Sequence, residues 1–430
     1  MSLAVHLEGT TLEGGGQLLR IGIGVSALTA IPIEITNIRG NRSGGGGLKA
    51  QHLSSVIWLG RTSEADISGA GLKSKKLYFA PSTKVSQRAI SLPDHREREL
   101  SDGTTIIETQ ISQSTPGSIG LVFQAILPYL LWSGSSLSPP EEASKPIRLK
   151  ISGGTNTSMS PSHEYISQVL LPTLTRIGLP LISTNLHSRG WTNGRQQIGS
   201  VSFTIPPLPR TTTLAPFTLS NRGAIVSITA TVLAPKACET HFRNELSTHL
   251  SKRQASIFDT GGGDPAVTID FEDSRHEKRF YLLVVATSSN GYKLGRDWLY
   301  DQRIGAGKID VVIAKLVKQV VGELAKEIEH GGCVDEYMRD QLVVFQALAK
   351  GKTFIDGGRL KDGSAIQPSL HARTAEWVVN EILGVEFDGK GGCEGIGLAA
   401  GEVFAERQHE SAEERNGEKD LVAGVERLDI

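Results

Sequence analysis

The feature that most constrains the fold is one order of elements that recurs three times along 430 residues: a helix, a strand, a second helix, then extended chain. In the first stretch "GQLLRIGIGVSALTA" has helical spacing, "IPIEITNI" alternates like a strand, and "LKAQHLSSVIWLG" resumes a helical period before the strand "KLYFAP". In the second, "SIGLVFQAILPYLLW" leads to the strand "PIRLKISGG" and the helix "SHEYISQVLLPTLTRIG", which closes at Gly178 as a C-cap. In the third, "DEYMRDQLVVFQALAKG" leads to "KTFIDGG" and the helix "PSLHARTAEWVVNEILG", with "GVEFDG" after it. Helices alternating with strands bury their apolar faces best as two-layer units, helices on one sheet face. The rhythm is too long for a solenoid. It predicts an α+β chain of three α/β units about a common axis.

The first two units are expected over 1–186 and the third over 333–405. Between them, 187–332 has a different character and is read as a smaller inserted α/β domain. Its strand-like runs are "SVSFTI", "AIVSITATVL", "AVTIDF" and "RFYLLVVAT", and its helices "CETHFRNELSTHLSKR" and "KIDVVIAKLVKQVVGELAKEIEH". "SSLSPPEEASKP" and "DTGGGDP" have the composition of exposed loops. Residues 406–430 are charged and poor in apolar side chains, which predicts a flexible tail.

Charge narrows the partners. Lys plus Arg (45) nearly balances Asp plus Glu (46), so no global positive field exists to hold long nucleic acid. Any nucleic-acid contact must be local, at one end of a strand. Cys238, Cys333 and Cys393 lie far apart, which suits a reducing compartment and excludes a disulfide framework or a CxxC zinc site. "MSLAVHLEGT" lacks a signal peptide's basic start and apolar run, and no apolar stretch reaches membrane-spanning length. The expectation is an intracellular protein that does not enter a membrane.

Several loops carry groups suited to phosphate chemistry. "LEGGGQLLR" sets glycines before an apolar helix, where bare backbone N–H groups attract anions; Glu13 could hold a metal and Arg20 reach a phosphate. The same stretch serves equally as a tight strand-to-helix turn, and it is neither a Walker loop nor GxGxxG. "IRGNRSGGGGLKAQHL" puts Arg39 and Arg42 in a glycine-rich loop, close enough to grip a terminal phosphate or simply solvated. Gln51 and His52 at the next helix start could assist or cap. Gln124 interrupts an apolar helix, and burying it needs a partner, whether ligand or backbone. Pro161 and Tyr165, after "SGGTNTSMS", offer flat surfaces or ordinary packing. Tyr337 and Asp340 fall on one helical face. His371 sits in the first turn of its helix, where the macrodipole favours the neutral ring. A neutral imidazole is a nucleophile toward phosphorus, and a carboxylate such as Asp340 could fix its tautomer. A solvent-facing histidine is the bland alternative.

Taken in order, "EGGGQLLR", "IRGNRSGGGGLKAQHL", "LVFQAILP", "SGGT", "NRGAIVS", "DEYMRDQLVVFQALAKG" and "LHARTAEWV" resemble the RNA 3′-terminal phosphate cyclase family from about residue 7 to 390. The resemblance is nearest to eukaryotic members in "GGCVDEYMRDQLVVFQALA" and "LHARTA", which implies the nucleus ahead of the cytoplasm. It implies three repeats like the C-terminal domain of translation initiation factor 3, with a smaller inserted domain. It also implies ATP as substrate, Mg²⁺ or Mn²⁺ as metal, and RNA 3′ ends bearing a terminal phosphate as partner. In the family's reaction a histidine takes AMP from ATP, AMP passes to the RNA 3′-phosphate, and the 2′-OH closes a 2′,3′-cyclic phosphate while expelling AMP. By motif, His371 resembles the adenylated nucleophile. Asp340, Gln341, Tyr337, Pro161, Tyr165 and Gln124 resemble the ATP pocket, Arg20, Arg39, Arg42 and Gln51 the RNA-phosphate site, and Glu13 the metal-linked carboxylate. Two signatures depart: "SGGGGLKAQ" lacks the family's Pro-Gly-Leu and is one residue longer, and "RGWTNGRQQIGSVSF" lacks its Pro-x-Gly-Gly-Gly.

Two other readings share the architecture. A cyclase-like ribosome-assembly factor would act on pre-ribosomal RNA without a nucleophilic histidine, and this chain keeps His371. An enolpyruvyl-type transferase would bind a small phosphorylated acid and needs no adenylated histidine.

Overall fold

The computed structural model describes residues 4–83, 92–134, 144–257, 265–305 and 307–405. The tail expected at 406–430, and most of the loops expected at 135–146 and 259–265, lie outside the described residues.

The first sheet takes β1 (Val5–Glu8), β2 (Ile33–Thr36), β3 (Asp66–Ser68) and β4 (Leu77–Ala80), ordered β1-β2-β4-β3, with α1 (Gln17–Thr29) crossing between the parallel pair β1 and β2. Helix α2 (Ala50–Thr62) follows β2. Alternation puts Ile33, Ile35, Leu77 and Phe79 on one wholly buried face. Helix α1 is buried all round, because it packs against α2, against α3 (Ile119–Ser133) of the second sheet, and against α9 (Leu370–Leu383) of the third. Gly24 allows the α1–α3 approach, since a Cβ there would stand 2.6 Å from the Ala125 carbonyl oxygen.

The second sheet holds β5 (Arg96–Glu99), β6 (Thr105–Ser112), β7 (Ile147–Gly153), β8 (Ser183–Ser188) and β9 (Gly199–Ile205), ordered β5-β6-β7-β9-β8. Its second helical stretch is not one regular helix. A short α4 (His163–Tyr165) runs through a π-helical turn (Ile166–Leu170) into α5 (Leu171–Arg176), and Gly178 turns the chain at φ +98°. The strand "SVSFTI", expected in the insert, is β9, and it pairs antiparallel with β7. Its alternation names a buried face but not a partner. Here that partner is α3, with the Phe203 and Phe123 rings stacked at 4.0 Å.

The next strand, β10 (Thr218–Leu219), joins the third sheet with β15 (Lys350–Ile355) and β16 (Gly392–Ile396). Helices α8 (Glu336–Leu348) and α9 belong to this part of the chain and pack on each other.

Between these lies a separate sheet, β12-β11-β13-β14, built from β11 (Ile225–Ala234), β12 (Ala266–Asp273), β13 (Tyr281–Ser288) and β14 (Lys293–Leu299). Helices α6 (Glu239–Ile257) and α7 (Ile309–Glu329) cover one face with a core of their own. Strand β13 explains the unbroken apolar run "YLLVVAT". Leu282, Val284 and Ala286 face that core, whereas Tyr281, Leu283 and Val285 join the main core. Strand β13 is thus buried on both faces whereas the edge strand β12 is largely exposed, and β14 is pressed against the residues around Tyr165 and Asp335.

Candidate active site

Ser369 starts α9 by accepting a hydrogen bond from Ala372 N (3.2 Å), a cap worth about 1 kcal/mol. Gly384 closes the helix in the left-handed region at φ +69°. One residue into the helix, His371 keeps its side chain 47% exposed. The loop after β1 is tied to it from below: Glu13 N donates to Thr374 Oγ1 (3.1 Å). The Glu13 side chain is nearly buried, with Oε1 ion-paired to Arg42 and 3.9 Å from His371 Nδ1. Its other oxygen, Oε2, is buried without a hydrogen-bond partner. Gly15 leaves the room, because a Cβ there would sit 2.5 Å from that oxygen.

Burial, then the guanidiniums of Arg20 and Arg42, hold the His371 ring below its ordinary pKa, against a smaller opposite pull from Glu336. The ring is therefore neutral at pH 7.

Behind this layer lies a buried polar chain. Arg20 Nε donates to Gln124 Oε1 (3.0 Å) and Arg20 Nη2 to Gln17 Oε1 (2.5 Å). Gln17 Nε2 donates to Asp340 Oδ2 (3.5 Å), and Gln341 Nε2 to Asp340 Oδ1 (2.7 Å). Burial lowers Arg20 to about 10, opposed by the charge of Asp340. Burial also lifts Asp340 to about 7, against the Gln341 hydrogen bond and Arg20. Gln124 Nε2 is buried without a partner. An orphaned donor there and an orphaned acceptor on Glu13 are what a polar ligand would satisfy.

The glycine-rich loop brings Arg39 and Arg42 to the same place. Arg39 has φ +56° and donates to the Gly47 carbonyl (3.2 Å). Gly45, Gly46 and Gly47 are all left-handed (φ +86°, +69° and +74°), a path that proline, with φ near −65°, cannot follow. His52 caps α2, its Nδ1 accepting from Lys49 N (3.3 Å). Burial, then Arg20, Arg39 and Lys49, drive its pKa down to about 3. Gln51 Oε1 accepts from Ser118 N at the start of α3 (3.1 Å).

Two expectations are corrected. Asp340 does not orient His371; its hydrogen bonds go to Gln17 and Gln341, and the carboxylate beside the imidazole is Glu13. Tyr165 is not a free flat surface. Its side chain is 1% exposed and its hydroxyl donates to Asp335 Oδ1 (2.7 Å). It stands edge-on to Tyr337 (6.1 Å, 74°), supporting that ring from below. Tyr337 is 40% exposed, and Pro161 half-buried. Sequence reasoning missed Gln17, Thr374 and Arg296, whose guanidinium lies 4.3 Å from the Tyr337 centroid. Gln17 carried the same signal as Gln124, a polar residue on an apolar helix; Arg296 carried none.

Among the described residues no group of three His, Cys, Asp or Glu could hold a metal on its own. A single carboxylate with an uncommitted oxygen nevertheless fits Mg²⁺, which binds through one or two carboxylates plus substrate phosphates and water. Glu13 Oε2 is that oxygen. No helix among the described residues is long and apolar enough to cross a membrane.

Comparison with known proteins places residues 11–388 in a match to the profile of a family described as RNA 3′-terminal phosphate cyclase. A Dictyostelium discoideum protein named "Probable RNA 3′-terminal phosphate cyclase" is 29% identical over 387 residues, covering 89% of this chain and 77% of that one. Proteins named RNA 3′-terminal phosphate cyclase are 28% identical in Drosophila melanogaster (89% and 92% covered) and in Pyrococcus abyssi (89% and 94%).

Proposed function

The chain belongs to the RNA 3′-terminal phosphate cyclase family, and on that premise we propose that it converts an RNA 3′-terminal phosphate to a 2′,3′-cyclic phosphate, using ATP and a covalent histidyl-AMP at His371. The observation that carries this reading is the neutral, half-exposed His371 ring at the first turn of α9, directly over the Glu13–Arg42–Arg20 cluster.

The first step forms a nitrogen–phosphorus bond between the imidazole and the α-phosphate of ATP and breaks the α–β bridge, releasing pyrophosphate. Being neutral, His371 has its lone pair available. Arg20 and Arg42, with the backbone N–H groups at the start of α9, would offset charge on the pentacoordinate phosphate. An RNA 3′-phosphate oxygen then takes the AMP from the histidine. Finally the 2′-hydroxyl oxygen attacks the 3′-phosphorus and AMP leaves, the hydroxyl proton passing to the departing phosphate or to water. Mg²⁺ or Mn²⁺, when bound at Glu13, neutralises phosphate charge. Arg39 and Arg42 suit bidentate recognition of the RNA phosphate, and Gln124 Nε2 supplies the buried donor that awaits a partner. Tyr337, propped by Tyr165, is a stacking platform for adenine, Pro161 belongs to the same pocket by its motif, and the three-repeat architecture is read as the frame that brings these loops together.

The test is conversion of a 3′-phosphorylated oligoribonucleotide. Purified protein with ATP and Mg²⁺ should render the end resistant to phosphatase and release AMP and pyrophosphate in equal amounts, and His371→Ala should not. Well-folded wild-type protein that leaves the phosphate unprotected would overturn the reading in favour of a non-catalytic, ribosome-assembly role.

A further inference from the structure

The glycine-rich loop is stitched to a second loop that the reaction above does not use. Ile38 N donates to Lys75 O (3.0 Å), Leu48 N to Ser74 O (3.0 Å), and Lys73 N to Leu48 O (2.9 Å). A Cβ at Gly47 would overlap the Lys73 carbonyl, so the two backbones touch. The run 69–76 therefore continues the surface that begins at Arg39 and Arg42 and is held rigidly beside it.

That surface is basic, and several of its cations have no counter-charge among the described residues. Lys49, Lys73 and Lys75 are exposed and make no ion pair among the described residues, and Arg39 donates only to a carbonyl. The acids nearby are committed. Glu34 pairs with Lys76 (2.9 Å), Glu13 with Arg42, and Glu8 accepts from Thr10, Thr36 and Asn37. Lys49 feels the crowding, its pKa lowered first by Arg39, then by burial and Arg42. Next to Lys73 in the chain, Leu72 is 63% exposed. Like charges gathered without counter-charge beside an apolar side chain fit a polyanion that carries flat apolar groups.

We propose that the loop Gly69–Lys76 is the track for the RNA strand on the 5′ side of its terminal phosphate, with Lys73 and Lys75 meeting preceding phosphodiesters and Leu72 packing against a base. This rests on the RNA reading of the active site and extends it: specificity for a 3′-phosphate lies at Arg39 and Arg42, whereas affinity for a strand over a mononucleotide lies at the lysines. Few phosphates are involved, in keeping with the balanced total charge.

The test is binding, which needs no chemistry. Fluorescence anisotropy of a labelled hexaribonucleotide 3′-phosphate is followed across NaCl concentrations for wild type, Lys73→Ala/Lys75→Ala and Lys73→Arg/Lys75→Arg. A single-strand phosphate contact contributes a slope of about 0.7 in log Kd against log salt, so losing two should flatten it by roughly 1.4 and weaken binding roughly 25-fold at about 0.1 M salt. The arginine pair should bind as wild type does. Competition by a nucleoside 3′-phosphate should be the same for all three proteins. An unchanged slope in the alanine pair, wild-type protein that fails to bind the hexanucleotide, or an equal loss for the mononucleotide would each overturn the track. Binding as described by a wild-type protein that forms no cyclic phosphate would instead overturn the catalytic reading and leave the track standing.

Discussion

Gly15→Ala separates the chemistry of this site from its folding. Gly15 is not among the left-handed glycines, so alanine suits the backbone there. The reduced freedom of the unfolded chain should stabilise the protein by about 0.4–1 kcal/mol. The obstacle is the Glu13 carboxylate. The new Cβ would lie 2.5 Å from Oε2 and nearer still to Oε1, where ordinary contact begins at 3.4 Å. Glu13 is the end of a flexible side chain and must withdraw by at least about 1 Å to bring both oxygens to ordinary contact, loosening its pairing with Arg42 and its place beside His371. Misplacing a catalytic group by that much costs about 100-fold in rate, or about 2.7 kcal/mol of activation free energy. The assay is single-turnover transfer of AMP from ATP to the protein, set beside urea unfolding of the same preparation. Transfer within about threefold of wild type, by protein that the urea titration shows to be folded, would refute the claim that Gly15 exists to make room for Glu13.

Other consequences follow from named groups. Because the His371 pKa is lowered, the acid limb of the adenylation rate should fall below pH 6.5; a limb above neutrality would contradict a neutral nucleophile. For His52, the unfolded state takes up a proton near pH 6.5 that the folded state refuses until about pH 3. Stability is thus present above pH 6.5 and lost as pH falls, by about 1.4 kcal/mol per unit, and His52→Gln should remove that slope in urea titrations. Tyr165→Phe breaks the bond to Asp335 and should cost about 1–2 kcal/mol of stability while ATP KM stays within about twofold. Tyr337→Ala should raise ATP KM about tenfold through lost stacking, and equal effects of the two changes would sink the platform arrangement.

Helices with a clear period were legible from sequence. "GQLLRIGIGVSALTA" is α1, "LKAQHLSSVIWLG" α2, and the His371 segment α9. Strands were legible where one face is buried, as in β2, β4 and β7. Strand β5 was not, because "RERE" is exposed at all four positions and has no apolar period. Strand β14 was missed because Gly295, Arg296 and Asp297 interrupt it. Each makes a contact across to the main core: Gly295 N to Asp335 (2.8 Å), Arg296 to Glu336 (2.9 Å), Asp297 to Ser162 (2.8 Å). Those interruptions are the docking contacts of the insert, which a single-strand pattern does not express. At the site, Glu13, Arg20, Arg42 and His371 were named and do converge. Pairings within it were not readable, since i to i+3 spacing puts Asp340 on the face of Tyr337 but says nothing of Gln17, which arrives from a helix more than three hundred residues earlier.

The most direct test of the central claim is to find where AMP goes. Protein incubated with Mg²⁺ and ATP labelled at the α-phosphate, then digested under alkaline conditions and mapped by mass spectrometry, should carry AMP on the peptide that begins α9, at His371, in an acid-labile linkage absent from His371→Ala. AMP on another residue, or an adduct that survives in His371→Ala, would contradict the account.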